Sequence, residues 1–211
     1  MIRLPAFEFA AAVDSAIATL SREDYHLRKG RAKHLLEELY PISRFALHLV
    51  HPGSRIEVEA PEDDGPYDAL IYRGQGSEIE STLSVQVTYV HSHEEALRRE
   101  LLWETGSAPG AGPIHRDKKT GQIVAKSEMI PIELELDKLA SDIVALHEKK
   151  CRKAYERGTI LIVAFDDPTF WGRTLWGALI TAVNAKSNLR GGGFSEVHFF
   201  NCGSNELQAD T

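Results

Sequence analysis

The chain has 211 residues, of which 43% are hydrophobic and 26% charged, and its net charge is −7. This length and apolar content suit one globular domain over residues 1–211 and exclude an intrinsically disordered chain. The acidic balance argues against a protein that coats nucleic acid non-specifically, although a local basic groove remains compatible with it.

No apolar run approaches the ~18 residues of a membrane-spanning helix, and the first residues lack the apolar core of a signal peptide. We therefore expect no membrane partner. The two cysteines, Cys151 and Cys202, form neither a disulfide framework nor a metal-spaced pair. That usage is typical of a reducing compartment and predicts a cytoplasmic protein.

The first fifty residues are predicted to be helical. One apolar stripe at helical spacing is formed by Phe9, Val13, Ile17 and Leu20. Ser21 and Asp24 then make an S-x-x-D signal for the start of a second helix. A further apolar stripe covers residues 35–49 and crosses Pro41, which has no N–H to donate. We expect the helix to kink or restart there.

The periodicity then changes to that of strands. Three segments alternate in polarity or are rich in β-branched residues, at residues 55–59, 67–72 and 82–90. The connections between them are short. These segments predict an antiparallel meander.

The rest of the chain is predicted to alternate helix and strand. The expected elements lie at residues 92–104 (helix), 114–125 (basic hairpin), 137–156 (helix), 159–165 (apolar strand), 170–185 (helix) and 195–200 (strand). We interpret residues 92–132 as an insertion, since the segment is too short to own a core. Residues 203–211 are expected to fray. The fold class is α/β with a mixed central sheet.

Two oxygen-bearing side chains are predicted to converge on this sheet. If the second and third strands pair, Asp68 and Gln86 can project from one face, and Glu37 and Glu38 on the preceding helix can approach them. Oxygen donors of this kind suit Mg²⁺, which can polarise a phosphodiester. The alternative is a structural turn residue at Asp68 and a solvent-facing Gln86.

These stretches resemble the PD-(D/E)XK (restriction-endonuclease-like) nuclease superfamily. The matching segments are Lys33-His34-Leu35-Leu36-Glu37-Glu38, Pro66-Tyr67-Asp68-Ala69-Leu70-Ile71, Ser84-Val85-Gln86-Val87-Thr88 and residues 149–165. The resemblance implies an αβββαβ core with a mixed sheet, preceded by N-terminal helices. It also implies cleavage of nucleic-acid phosphodiesters with Mg²⁺ or Mn²⁺.

By this resemblance the metal ligands are Asp68, Gln86 and Glu37 or Glu38. Two positions depart from the family pattern: Gln86 stands where an acid is usual, and Thr88 stands where a lysine is usual. The missing positive charge is expected from the helix at residues 137–156. Lys149 and Lys153 are i, i+4 neighbours there, and we predict that one of them takes the catalytic role, with Lys150 as a further substitute.

Other functions remain open at this stage. A catalytically inactive member of the same fold would bind nucleic acid or a protein partner. A zinc-dependent hydrolase would use His91 and His93, with Glu104 as a third ligand. The competing interpretation of that segment is a helix N-terminus capped by Ser92. The sequence fixes no oligomeric state, and a dimer is among the options.

The predicted hairpin is the candidate nucleic-acid contact. Its basic residues are Arg116, Lys118 and Lys119, with Lys126 nearby. Such side chains contact phosphates in nucleic-acid complexes. A solvated basic loop is the alternative.

Overall fold

The computed structural model describes residues 3–61, 65–153, 155–156, 158–167, 172–187, 189 and 193–209. The strands are β1 (Arg3–Pro5), β2 (Ser54–Glu59), β3 (Ala69–Gln75), β4 (Glu78–Tyr89), β5 (Ile114–Arg116), β6 (Ile123–Ala125), β7 (Thr159–Phe165), β8 (Phe194–Asn201) and β9 (Glu206–Ala209). The α-helices are α1 (Ala6–Ala18), α2 (Arg22–Leu27), α3 (Arg31–His34), α4 (Tyr40–His48), α5 (His93–Thr105), α6 (Ile132–Cys151) and α7 (Arg173–Lys186).

Seven strands form one mixed sheet in the order β1-β2-β3-β4-β7-β8-β9. Strands β1 to β4 are antiparallel neighbours, β4, β7 and β8 are parallel, and β9 returns antiparallel to β8. Strands β5 and β6 form a separate hairpin. The predicted mixed α/β class, the meander and the hairpin are confirmed.

Helices cover both faces of the sheet. One face packs against α1 and α4 through side chains such as Phe9 and Phe45. The other packs against α6 and α7 through side chains such as Ile143 and Leu179. In β4, Val85, Val87 and Tyr89 join the first layer, and the alternate residues Gln86 and Thr88 face the second side, as the period of a strand requires.

Strand β7 is buried on both faces, as its continuous apolar run predicts. Ile160 and Ile162 contribute to the first layer, while Leu161 and Val163 contribute to the second. Burial of each such side chain stabilises the fold by roughly 1.5–3 kcal/mol. The strand therefore joins the two halves of the core.

A π-helical turn at Leu35–Leu39 separates α3 from α4. The N–H of Tyr40 donates to the carbonyl of Leu35, five residues back. Pro41 then lies in the first turn of α4, where its missing N–H costs nothing. The predicted restart at Pro41 is confirmed, but the π turn before it is not visible in the apolar periodicity.

Several boundaries differ from the predictions. Strand β4 begins at Glu78, ahead of the predicted residue 82, and the N-terminal helices are preceded by β1. Helix α6 begins at Ile132, after Pro131, and ends at Cys151, whereas residues 137–156 were expected. The segment expected to fray contains β9, since its backbone pairs with β8. Helix α7 begins at Arg173, and residues 170 and 171 of the predicted helix lie outside the described residues. Within the described part of the chain, no helix has both the length and the apolar character needed to cross a membrane.

Candidate functional site

Asp68 and Gln86 are cross-strand neighbours. Ala69 pairs with Val85 and Leu70 with Ser84, so the same register places Asp68 opposite Gln86. The N–H of Asp68 donates to the carbonyl of Val85 at 2.9 Å. Its Oδ2 accepts from the N–H of Val87 at 2.6 Å. The carboxylate is therefore fixed at the start of β3 and shares a sheet face with Gln86.

Gln86 is buried and both ends of its amide are engaged. Nε2 donates to the carbonyl of Pro66 at 3.0 Å, and Oε1 accepts from Nζ of Lys150 at 2.9 Å. Helix α6 thus brings a cation to the side chain of Gln86. The helix packs on the sheet face that carries Gln86.

The lysine that reaches Gln86 is Lys150, whereas Lys149 and Lys153 are exposed. The sequence carries a usable signal: Ile143 and His147 are buried residues of α6 at i and i+4, and the half-buried Lys150 follows on the same face at i+7. The i, i+4 spacing of Lys149 and Lys153 shows only that these two lysines share a face. The apolar residues of the helix indicate which face packs on the sheet.

Burial perturbs both charged groups beside Gln86. It raises the pKa of the Asp68 carboxyl, and the backbone N–H of Val87 and the charge of Lys150 oppose that rise. Burial also lowers the pKa of Lys150, with the Asp68 carboxylate opposing the change. Desolvation therefore disfavours the charged form of each group, and the opposite charge of its neighbour compensates for this only in part.

Glu38 lies beside this pair and is held by His34. His34 Nδ1 and Glu38 Oε2 are 2.9 Å apart, one helical turn from each other. This contact raises the pKa of His34 and lowers the pKa of Glu38. Both residues interact electrostatically with the buried pair, Glu38 with Lys150 and His34 with Asp68. We call Asp68, Gln86, Lys150, Glu38 and His34 the Asp68 cluster.

Glu37, the other predicted acid, belongs to a different group. Its side chain is only 4% exposed, and its Oε2 lies 2.7 Å from Nε2 of His91. Its Oε1 lies 3.7 Å from Nη1 of Arg28. Glu37 is therefore engaged away from the buried Asp68–Lys150 pair, although it is adjacent to Glu38 in the chain.

Arg28 joins several segments at the carboxyl ends of β4 and β7. Its Nη2 donates to Oδ2 of Asp166 at 2.8 Å, and its guanidinium lies 4.7 Å from the ring centre of Tyr89. Arg28 caps α2 in a left-handed conformation, with φ of 50°. We call Arg28, Glu37, His91, Asp166 and Tyr89 the Arg28 cluster.

The donors of the Asp68 cluster match the chemistry of a hard cation. Mg²⁺ is commonly bound through one or two carboxylates together with substrate phosphates, and Asp68, Glu38 and the amide oxygen of Gln86 are such donors. Within the described part of the chain, no group of three or more His, Cys, Asp or Glu side chains is arranged to hold a metal ion. Two carboxylates and one amide are the set available here.

The His91-Ser92-His93 segment forms a capped helix start. Ser92 Oγ accepts from the N–H of Glu95 at 3.0 Å, as the capping interpretation predicts. His93 and Glu104 occupy opposite ends of α5. The rise of an α-helix separates residues eleven apart by about 16 Å. These two residues therefore cannot share a zinc ion, and the predicted three-ligand set is wrong.

The basic residues at the β5–β6 hairpin differ in whether they contact an acidic side chain. Arg116 is paired, with Nη2 donating to Glu100 at 2.5 Å and Nη1 to the carbonyl of Gly121 at 2.9 Å. Lys118 and Lys119 are exposed on the turn. Lys126 lies 3.7 Å from Glu128. The two turn lysines are thus the better placed of the four for a phosphate contact.

Comparison of the chain with protein-family models, curated proteins and solved structures gives no match.

Proposed function

We propose that the chain is a divergent nuclease of the PD-(D/E)XK type that acts on nucleic-acid phosphodiesters with Mg²⁺ or Mn²⁺. The observation that carries this proposal is the contact between Lys150 and Gln86 beside Asp68. A phosphodiester transition state concentrates negative charge, so its stabilisation requires nearby cations. Lys150 offers the positive charge that Thr88 lacks.

The order of elements supports the restriction-endonuclease-like core. A helix that carries Glu38 precedes three antiparallel strands, and a later helix leads into the parallel strand β7. This is the αβββαβ order that the resemblance implies. Helix α5 and the β5–β6 hairpin occupy the place of the insertion, between β4 and α6.

Each residue of the Asp68 cluster receives a role in this proposal. Asp68, Glu38 and the carbonyl oxygen of Gln86 would hold the metal, which when bound would supply Lewis-acid chemistry at the phosphodiester. Lys150 has three N–H donors, and one of them is on Gln86. The others serve a phosphate oxygen. His34 holds Glu38 in place through the 2.9 Å contact.

A binding module without catalysis is the second candidate, and one observation favours it. The carbonyl oxygen of Gln86 is already the acceptor for Lys150, and the amide nitrogen is satisfied by Pro66. Because both ends of the Gln86 amide already have hydrogen-bond partners, the fold needs no metal to satisfy them. In this case the lysines of the hairpin would still contact phosphates, but no bond would be cleaved.

Metal titration and cleavage assays test the first candidate. Wild type and Asp68→Ala are titrated calorimetrically with Mg²⁺ and Mn²⁺, and both are incubated with labelled single- and double-stranded DNA and RNA. We expect wild type to bind metal and cleave, and Asp68→Ala to do neither while it remains folded. Equal metal binding by both chains would contradict the assignment of Asp68.

A lysine series tests the position of the cation. Lys150→Ala is expected to lower cleavage by ~10²-fold or more, the scale of losing one positioned electrostatic group. Lys138→Ala is the control, because Lys138 lies on the same helix and pairs with Glu94. A larger loss in Lys149→Ala or Lys153→Ala would instead favour the assignment made from the sequence.

A further inference from the structure

Tyr155 lies between the end of α6 and the start of β7, five residues after Lys150. Its ring packs on Phe194 of β8, with 5.0 Å between ring centres. It belongs to the apolar layer between the sheet and helices α6 and α7. Gln86 lies on the same face of the sheet. The ring therefore has a fixed place next to the Asp68 cluster.

The hydroxyl of Tyr155 is buried and has no hydrogen-bond partner among the described residues. A buried polar group without a partner loses its hydration and gains nothing in return. Phenylalanine would fill the same space against Phe194 without that loss. The hydroxyl is therefore a cost to the unliganded fold, and a ligand that accepts its hydrogen bond would remove that cost.

The surroundings of the hydroxyl indicate which ligand that is. Burial raises the pKa of Tyr155, and the Asp68 carboxylate raises it further. The phenol thus keeps its proton near neutral pH and serves as a donor. Anionic oxygens are the strongest acceptors for such a group, and the proposed substrate carries them on every phosphate.

We propose that Tyr155 is a substrate-contacting residue of this site, and that its hydroxyl donates a hydrogen bond to a non-bridging phosphate oxygen. This inference rests on the proposed function. It adds a neutral hydrogen-bond donor to the positive charge that Lys150 supplies. No covalent step is assigned to the phenol.

The decisive variant is Tyr155→Phe, since a structural role and a substrate role predict opposite results. For the substrate role, affinity for labelled oligonucleotides in Mg²⁺ falls about 10–100-fold, the scale of one hydrogen bond to a charged acceptor. Thermal unfolding of the free protein then occurs at an unchanged or higher temperature. If the hydroxyl merely stabilises the fold, the variant unfolds earlier and binds as wild type does, which would overturn the inference.

Tyr89→Phe is the matched control. Tyr89 also carries a buried hydroxyl, but its ring lies beside the guanidinium of Arg28, in the other cluster. Its removal should leave oligonucleotide affinity unchanged. An equal loss in both variants would show a general effect of buried hydroxyls and would also overturn the inference.

The same assay separates this inference from the proposed function. A wild type that binds and cleaves the oligonucleotides, together with a Tyr155→Phe variant of equal affinity and rate, removes Tyr155 alone from the site. A wild type that neither binds nor cleaves any of the DNA and RNA probes removes the proposed function, and the role of Tyr155 with it.

Discussion

The Asp68 cluster and the Arg28 cluster begin from adjacent residues of one π turn, yet their electrostatics differ. In the Arg28 cluster the guanidinium faces two carboxylates, those of Glu37 and Asp166, and Glu37 also contacts His91. Arg28 and Glu37 are buried, while Asp166 and His91 contact them from the surface side. Such an arrangement ties segments together and leaves little charge to act on a ligand.

The Asp68 cluster is less well balanced. Burial raises the pKa of Asp68 and lowers that of Lys150, so the environment opposes the charged form of both. Glu38 is about 41% exposed and open to solvent. Groups held against their preferred protonation state are typical of functional sites. The comparison indicates that Glu37 anchors the turn, and under the proposed function Glu38 is the acid that serves the site.

The largest expected effect is on stability, in a comparison of Glu37→Ala with Glu38→Ala. Glu37→Ala removes a buried carboxylate that contacts both His91 and Arg28. Arg28 keeps its contact with Asp166, so we expect a loss of about 1–3 kcal/mol, the cost of taking one partner from buried polar groups. Glu38 pairs at the surface, where the loss is under ~1 kcal/mol. Urea unfolding measures the free energy of unfolding of both variants. Equal losses of stability would show that the two glutamates are equally important to the fold.

The order should reverse when metal affinity is measured. Glu38→Gln removes a carboxylate from the proposed ligand set, and we expect Mn²⁺ affinity to fall by at least ~10-fold. Glu37→Gln is the matched variant, because its amide oxygen still accepts from His91. We expect its Mn²⁺ affinity to stay close to that of wild type, because Glu37 contacts Arg28 and His91 and neither residue belongs to the proposed ligand set. Calorimetry on folded samples measures the Mn²⁺ affinity of both variants. A greater loss of affinity in Glu37→Gln would assign the metal to the Arg28 cluster.

Much of the fold could be predicted from the sequence because its signals are local. The continuous apolar run of β7 predicts a central strand, and the S-x-x-D signal at Ser21 predicts a helix start, where Ser21 Oγ accepts from Asp24 N–H. Alternation in the second and third strands also predicts that Asp68 and Gln86 are neighbours. Each of these inferences needs only residues close together in the chain.

The remaining parts of the site depend on contacts between distant segments. Apolar periodicity cannot distinguish the π turn from an α-helix, so Glu37 and Glu38 were interchangeable in the sequence. Lys149 and Lys153 rank above Lys150 in the sequence because they share a helix face at i, i+4, whereas the contact of Lys150 with Gln86 depends on how α6 packs on the sheet. Tyr155 carries no motif at all. Its position follows from packing on Phe194, which only the folded chain provides.

The smallest expected effect concerns the pH dependence of stability in Asp68→Asn. Burial raises the pKa of Asp68 above its ordinary value of 3.8, so the folded chain holds this proton more tightly than the unfolded chain does. The protonated form therefore contributes to the stability of the wild type. This contribution is fully present below pH 3.8 and is lost as the pH rises through the pKa of the folded chain. Asparagine does not ionise, so the variant does not lose this stability as the pH rises. Its side-chain oxygen can still accept a hydrogen bond from the N–H of Val87. We therefore expect Asp68→Asn to be the more stable chain near neutral pH and to converge with wild type in acid.

Asp117→Asn is a control of opposite sign for the same urea titration. The Thr120 backbone N–H, the Thr120 hydroxyl and the Lys119 N–H all donate to the Asp117 carboxylate and lower its pKa. That carboxylate therefore stabilises the fold above its unfolded pKa, and the contribution disappears as pH falls through the folded pKa. Asp117→Asn should be the less stable chain near neutral pH. If Asp68→Asn instead follows the same direction as Asp117→Asn, then Asp68 holds the β3–β4 junction together, and its carboxylate is not kept at a cost for function.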